Sequence, residues 1–340
     1  MTAEMKSEPT LKDIARRAQV SVAAVSKVLN NRPGVSSATR EHVLKVIEES
    51  GYRGRSGRAG ALAPVSLLTL EQYVTHDSFY GEILSGMNLL AARAGLDLQL
   101  QVFHRVEEMS RPGALDGLDG PALLVGVDQP NIIDAVVARN VPAVIVNGMD
   151  RSMRLSSVSP DYHFGAWQAT RHLLDLGHRE IIHVTHPWRE SIRRRIDGFR
   201  NALEEEGIAF HPDRHLIDLG APENISIAAR SIVAKVLKDR KPRPTAVFCL
   251  NDMVALGVIQ AAQSQGLSVP EDLSVMGFDG LAVGSYSTPP LSSMLSDRTA
   301  LARIAVDLLS ARLADPAVPV QRVTTSVALG LRRSTAPPAG

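Results

Sequence analysis

The sequence predicts two folds in one chain: a small three-helix head containing a helix-turn-helix, then a two-lobed α/β body built on parallel sheets. Three observations lead there. Residues 10–53 carry apolar side chains at helical spacing in three short runs separated by turn signals. From Val65 onward, short continuous apolar stretches alternate with amphipathic helical runs, the pattern of sheets covered on both faces. The charge divides in the same way. Residues 1–60 hold 11 Lys and Arg against 6 Asp and Glu, and the remainder holds 26 against 30, within 340 residues of net charge +1. A basic head on a mildly acidic body fits a module that meets phosphate joined to one that does not.

In the head, Thr10 caps a helix over 11–18, with Asp13 three residues later and Leu11, Ile14, Ala15 and Ala18 on one face. Gln19 and Val20 make a tight turn, and Ser21 caps a second helix, Val22–Asn30. Val25, Val28 and Leu29 face Ile14 and Ala18, which leaves Val22, Ala23, Ser26 and Lys27 outside, near the helix start. Ser36 caps a third helix over 37–50, which Gly51 stops, and Val43, Val46 and Ile47 close the small core. Two helices joined by so short a turn place the second in the major groove of DNA, its first turns against the base edges. A helical mini-domain that binds nothing shares the spacing. The positive charge and the small outward residues, which let the backbone approach DNA, favour the DNA reader.

The residues TLKDIARRAQVSVAAVSKVLN, then VSSATREHV and GY, resemble the headpiece of the LacI/GalR family of bacterial transcription regulators. The resemblance implies base readout by Val22, Ala23 and Lys27, phosphate contacts from Ser21 and Ser26, and further DNA contacts from Thr10 and Asn30. Gln19 stands where the family has a turn glycine, Ala24 where it has threonine and Lys27 where it has arginine. Lys27 presents a point charge rather than a planar fork, so its base preference is less sharp.

Residues 54–64 form the joint between a head of residues 1–53 and a body of residues 65–340. Family members fold this joint on DNA into a hinge helix that wedges a leucine into the minor groove; here Leu62 is the available leucine. Gly54, Gly57 and Gly60 each disfavour helix by about 1 kcal/mol relative to alanine. The other arrangement is a flexible basic linker in which Arg53, Arg55 and Arg58 touch phosphate without sequence preference. The sequence leaves both open.

In the body, strands are predicted at 65–70, 96–102, 121–127, 142–147, 180–185, 245–250 and 273–278. Helices fall near 79–94, 163–176, 189–206, 224–238, 252–265 and 299–313. Some 275 residues exceed one comfortable sheet, so two lobes with a cleft between them follow, with ligands at the strand ends. HDSFYGEIL, RRRIDGFRNALEEEGI and NDMVALGVIQAAQSQGLSVPEDLSVMGFDG extend the family resemblance along the body. It implies a periplasmic-binding-protein-like pair of lobes, with chain crossings near Gly165, Ser293 and Thr325.

The chain contains no G-x-G-x-x-G after a strand, no P-loop and no G-x-S-x-G. His76, His104, His183 and His186 lack metal-ligand spacing. An enzyme is therefore not expected, nor a cofactor or a metal. The single Cys249 excludes an intrachain disulfide, and no apolar run reaches the length of a membrane span. These features, with no signal-peptide pattern, point to a soluble cytoplasmic protein.

Motif matching assigns the effector site to Arg195, Asp279 and Asn251, with Asp161 and Phe79 completing it. Chemically the set suits a polyhydroxylated ligand: carboxylates accept from hydroxyls, arginine donates in pairs and an aromatic face packs on a ring. Structural alternatives are a solvated helix face for Arg193, Arg194 and Arg195, a helix cap for Asp252, and lobe core for Phe79 and Tyr80. Gly220 and Ser296 stand where many members carry an aromatic and a glutamine, while Trp188 offers another aromatic wall. Arg193 and Arg298 add positive charge, pointing to a sugar acid or sugar phosphate. The resulting expectation is a repressor that binds a pseudo-palindromic operator on double-stranded DNA as a homodimer. A sugar or sugar derivative between the lobes would be its effector, with no membrane partner. The short tail RRSTAPPAG argues against a tetramer, and Ser85, Met87 and Leu90 mark the expected partner surface. The alternative is a sugar-binding transport-type protein without specific DNA binding.

Overall fold

A computed structural model describes residues 11–29, 34–50, 63–75, 78–187, 189–220, 222 and 224–339. The chain divides into two compact units, residues 1–63 with 95–97 and residues 64–94 with 98–340.

The head contains α1 (Leu11–Arg17), α2 (Val22–Leu29) and α3 (Ser37–Ser50). Ile14, Ala15, Ala18, Val25, Val28 and Val43 are buried together, with Val46 and Ile47 packed against them. Between α1 and α2, Gln19 adopts φ 52, the left-handed conformation that a glycine takes without strain. Ser21 Oγ accepts from Ala24 N at 3.1 Å and Ser36 Oγ from Thr39 N at 3.1 Å, so both serines cap as their positions predict.

The body opens with β1 (Ala63–Leu70), α4 (Glu71–Thr75), α5 (Ser78–Arg93), β2 (Leu96–Phe103) and α6 (Val106–Met109). It continues through β3 (Ala122–Val125), α7 (Pro130–Ala138), β4 (Ala143–Val146) and β5 (Ser156–Pro160). The second lobe follows as α8 (Tyr162–Asp175), β6 (Ile181–Thr185), α9 (Glu190–Glu205), α10 (Pro212–His215), β7 (Leu216–Asp218) and α11 (Ile225–Asp239). After these come β8 (Ala246–Cys249), α12 (Asp252–Ser264), β9 (Ser274–Asp279), α13 (Ala282–Ser285) and β10 (Ser292–Ser296). The chain then returns through α14 (Arg298–Ala314), β11 (Arg322–Thr325) and β12 (Val327–Gly330).

Two six-stranded sheets result, ordered β11-β5-β4-β3-β1-β2 and β12-β10-β9-β8-β6-β7. Pairing is parallel from β1 through β11 in the first and from β7 through β10 in the second, while β12 runs antiparallel to β10 at an edge. Both faces of the second sheet are covered. α11 and α12 bring Val233, Leu237, Val254 and Val258 to one face, and α8 and α9 bring Leu173, Phe199 and Leu203 to the other.

The chain passes between lobes at Asp161, Asp297 and Ser326, a few residues from the predicted crossings. Asp161 and Asp297 each cap the helix they begin, accepting from Phe164 N at 3.1 Å and Ala300 N at 2.8 Å. The predicted strands and long helices are all present. β5, β7, β10, β11 and β12, together with α7 and four single-turn helices, were not anticipated. Met87, expected near a partner surface, is fully buried in its own lobe, whereas Leu89 is exposed. No helix among the described residues is long and apolar enough to cross a membrane.

α8 and α9 cross so closely that a Cβ on Gly198 would lie 2.1 Å from His163 O. That oxygen is helix backbone, so the two helices must separate to admit a methyl group. Gly198→Ala is expected to lower the stability of the body by at least about 2 kcal/mol in urea unfolding. Gly81→Ala is the control. It lies in α5 with nothing within 4 Å of its Cβ, and should gain about 0.5–1 kcal/mol from helix propensity. A Gly198→Ala protein as stable as its parent would show that the crossing is looser than described.

Candidate functional site

In the head, Ser21 and Val22 stand exposed at the start of α2, where unpaired backbone N–H groups gather partial positive charge. Val22 is 44% exposed. Lys27 is exposed, and a Cβ on Gly34 would sit 3.3 Å from its Nζ, so the ammonium lies beside Gly34. Ala23 and Ser26 lie in α2 by backbone, but their side chains fall outside the description, as does that of Leu29. Thr10, Asn30, Arg53, Arg55, Arg58 and Leu62 lie outside the described residues.

In the body, parallel strands of both lobes end at one cleft, and polar residues follow those ends: Asp128 after β3, Asn147 after β4, Asp161 after β5, Asn251 after β8. Asp279 closes β9 with φ 105, a conformation rare for a residue with a side chain and held here by its surroundings. Buried polar atoms at or beside these ends that have no hydrogen-bond partner among the described residues include Asp128 Oδ2, Thr185 Oγ1, Arg189 Nε, Arg195 Nε, Ser296 Oγ and Thr325 Oγ1. Buried donors and acceptors are nearly always paired, so such a concentration marks where a polar ligand would supply the missing bonds.

Arg195 and Asp279 come together as predicted. The Arg195 guanidinium lies between two rings, 4.0 Å from the Tyr162 centroid and 4.4 Å from that of Phe278, with Nη2 3.4 Å from Asp279 Oδ1. It is buried rather than solvated, so the solvated-face alternative fails for Arg195; Arg193 beside it is exposed. The cap role expected of Asp252 falls to Asn251. Asn251 is the cap, accepting from Val254 N at 2.9 Å, and Asp252 is buried, accepting from Leu281 N at 2.6 Å and Ser293 Oγ at 2.5 Å. Asp161 spends one carboxylate oxygen on its own cap. Phe79 is buried in the first lobe, edge-on to Tyr80 at 5.3 Å, with Arg298 Cζ 5.9 Å from its ring.

Arg193 and Arg298, credited with added positive charge, each lie beside a carboxylate. Arg298 pairs with Glu82 at 2.7 Å and donates to Asp279 O at 2.7 Å. Arg193 donates to Pro187 O at 3.1 Å beside Glu190. Arg298 thus has a carboxylate of its own, whereas Arg193 shares Glu190 with Arg151. Trp188 lies outside the described residues.

Sequence reasoning missed a second group that joins the lobes. Arg189, just before α9, donates to Tyr80 Oη at 2.7 Å, Tyr73 Oη at 3.3 Å and Asn147 O, and lies 3.5 Å from Asp128 Oδ1. Tyr162 Oη donates to Asn147 Oδ1, and Asn147 Nδ2 to Tyr80 Oη at 2.6 Å. Asp128 and Asn147 directly follow the apolar runs PALLVGV and PAVIV. That strand-end placement was the available signal. Among the described residues, no group of His, Cys, Asp or Glu is arranged to hold a metal ion.

The family model "Bacterial regulatory proteins, lacI family" matches residues 10–54, and "Periplasmic binding protein-like domain" matches residues 170–335. The ribose operon repressor of Haemophilus influenzae is 32% identical over 321 residues, covering 90% of this chain and 92% of that protein. Among solved structures, the complex of the transcriptional regulator CelR with cellobiose aligns with TM-score 0.71 at 27% identity, over 96% of this chain and all of that one. A LacI family regulator from Enterococcus faecium with bound ribose aligns with TM-score 0.67 at 25% identity, over 80% and 99%.

Burial pushes His183 down to about 3 and His186 down to about 4; the Arg195 cation adds to both shifts and Arg189 to that of His186. A histidine with a depressed folded pKa contributes stability present above its unfolded value near 6.5 and lost as pH falls from there toward the folded value. Between pH 7 and pH 5, His183 alone is expected to remove about 2 kcal/mol. Urea unfolding at the two pH values should show a smaller drop for His183→Phe than for the parent. Equal drops would place the pH dependence elsewhere.

Proposed function

The chain belongs to the lacI family of bacterial regulatory proteins, and on that premise we propose that it is a cytoplasmic, effector-responsive repressor. Residues 1–53 read operator DNA, 54–64 join head to body, and 65–340 bind the effector and a second copy of the chain. The single observation that carries the effector reading is the set of unpartnered buried polar atoms at the strand ends. A ligand rich in hydroxyls, each both donor and acceptor, satisfies such a mixed set better than an anion, which offers acceptors only. A sugar or sugar derivative meets that need. The proposed effector contacts are Arg195, Asp279 and Asn251, with Asp161 and Phe79 at the margins; Asp128 and Asn147 join them.

Two features support a homodimer. Tyr286 is 85% exposed, with Val283, Met253 and Ile227 also exposed on the second lobe, and Leu89, Leu100 and Val102 are exposed on the first. Apolar side chains left in water in such number fit a surface that a partner covers. Two-fold symmetry then presents two heads to a pseudo-palindromic site. The effector acts by binding more tightly to one lobe arrangement than to the other, which shifts the population of DNA-competent dimers.

Fluorescence anisotropy on palindromic DNA tests this. The full chain should prefer two correctly spaced half-sites over one, and should keep that preference as salt rises while nonspecific binding falls. Lys27→Ala should weaken specific binding by about ten-fold or more. Arg195→Met should bind operator as the parent does but lose its response to ribose, cellobiose or whichever sugar of a panel acts on the parent. Binding without half-site preference would sink the repressor reading, and a full response in Arg195→Met would sink the assigned site.

A further inference from the structure

We propose that Arg189 is a tethered occupant of the cleft: a side chain of the second lobe that fills binding space on the first and holds the ligand-free body closed. The inference rests on the effector reading above and concerns how that site is regulated.

Arg189 belongs to the second lobe by sequence, immediately before α9. Its hydrogen-bond partners belong to the first: the Tyr80 and Tyr73 hydroxyls, on rings stacked at 4.1 Å, and the Asn147 carbonyl. Its side chain is only 12% exposed. Burial keeps the Tyr80 hydroxyl protonated, so it meets the guanidinium as a neutral acceptor. A cation at such a depth stays only where acceptors replace its lost water, and these are supplied across the cleft rather than from its own lobe. The next residue adds a second tie: Arg151 of the first lobe donates to Glu190 Oε2 at 2.8 Å.

The fit is incomplete in one place. The Asp128 carboxylate, 2% exposed, lies 3.5 Å from Arg189 Nε, and neither Asp128 Oδ2 nor Arg189 Nε has a hydrogen-bond partner among the described residues. Arg189 therefore engages the tyrosines and the peptide closely, but approaches the carboxylate only at long range and on one oxygen, leaving Oδ2 without a partner. A ligand hydroxyl that reached Asp128 would make a bond the arginine does not make. That difference lets an effector displace the guanidinium, and the closed fraction lowers the effector's apparent affinity until it does.

The test measures closure in the full chain without effector or operator. Cysteines are placed at two exposed positions, Glu107→Cys on the first lobe and Lys235→Cys on the second, and spin-labelled; the native Cys249 is buried. Double electron–electron resonance should give the parent one narrow, short distance distribution. Arg189→Met, which keeps the bulk and removes the charge and donors, should shift most of the population to longer, broader distances. Tyr80→Phe, which keeps the ring stack and removes the acceptor, should shift it in the same direction by less, and serves if Arg189→Met does not fold. A parent distribution that is already broad, or a folded variant that reproduces the narrow one, overturns the proposal. Either result leaves operator binding untouched. Conversely, a failure of the anisotropy experiment leaves this closure measurement standing.

Discussion

Each sheet of the body is completed by strands from distant parts of the chain, so three crossings, at Asp161, Asp297 and Ser326, tie the lobes at one edge of the cleft. That constraint organises the rest. Strands on both sides end facing the same space, their carboxyl ends bring polar residues together, and the lobes can change angle without parting. The aspartates at two crossings also cap the helices they start, so the turn between lobes and the first turn of each helix are set by one side chain. A cleft built this way responds to whatever bridges it, because any group held by both lobes biases their angle.

The chemistry of the cleft follows from burying charge at those strand ends. Three arginines enter it, and each has a carboxylate: Arg195 with Asp279, Arg298 with Glu82, Arg189 with Asp128. Aromatic faces around Arg195 and hydroxyls around Arg189 supply what the carboxylates leave unsatisfied. His183 within β6 and His186 just after it are held neutral by the same burial. What remains is a set of uncharged needs, single donors and acceptors at fixed places, which polyhydroxylated ligands are suited to meet.

Much of this was legible from residue order. The head followed from apolar spacing and from Ser21 and Ser36, because a capping hydroxyl and a 3.6-residue period act locally. The long apolar strands followed because a strand buried on both faces is apolar throughout. β5 and β10 escaped because Ser156–Pro160 and Ser292–Ser296 are rich in serine; Ser292 and Ser293 reach partners that only the fold provides, Thr335 and Asp252. α7 was overlooked although Pro130 at its start is a helix signal. In the site, the pairing of Arg195 with Asp279 came from motif resemblance. Arg189, by contrast, sits in a run of charges that reads as a solvated surface, and only the other lobe, far away in sequence, gives it partners. The shift of the cap from Asp252 to Asn251 has the same origin, since the depth of Asp252 depends on Ser293 and Leu281.

If one cleft controls one DNA-reading head, effector and operator must influence each other equally, because coupling between two binding sites is reciprocal. The most direct measurement is calorimetric titration of the full chain with an effector selected by the sugar panel, once free and once saturated with operator. The account predicts that operator changes effector affinity by the same factor as effector changes operator affinity. Identical effector affinities in the two titrations would contradict it, and would leave a sugar-binding body that merely shares a chain with a DNA-binding head.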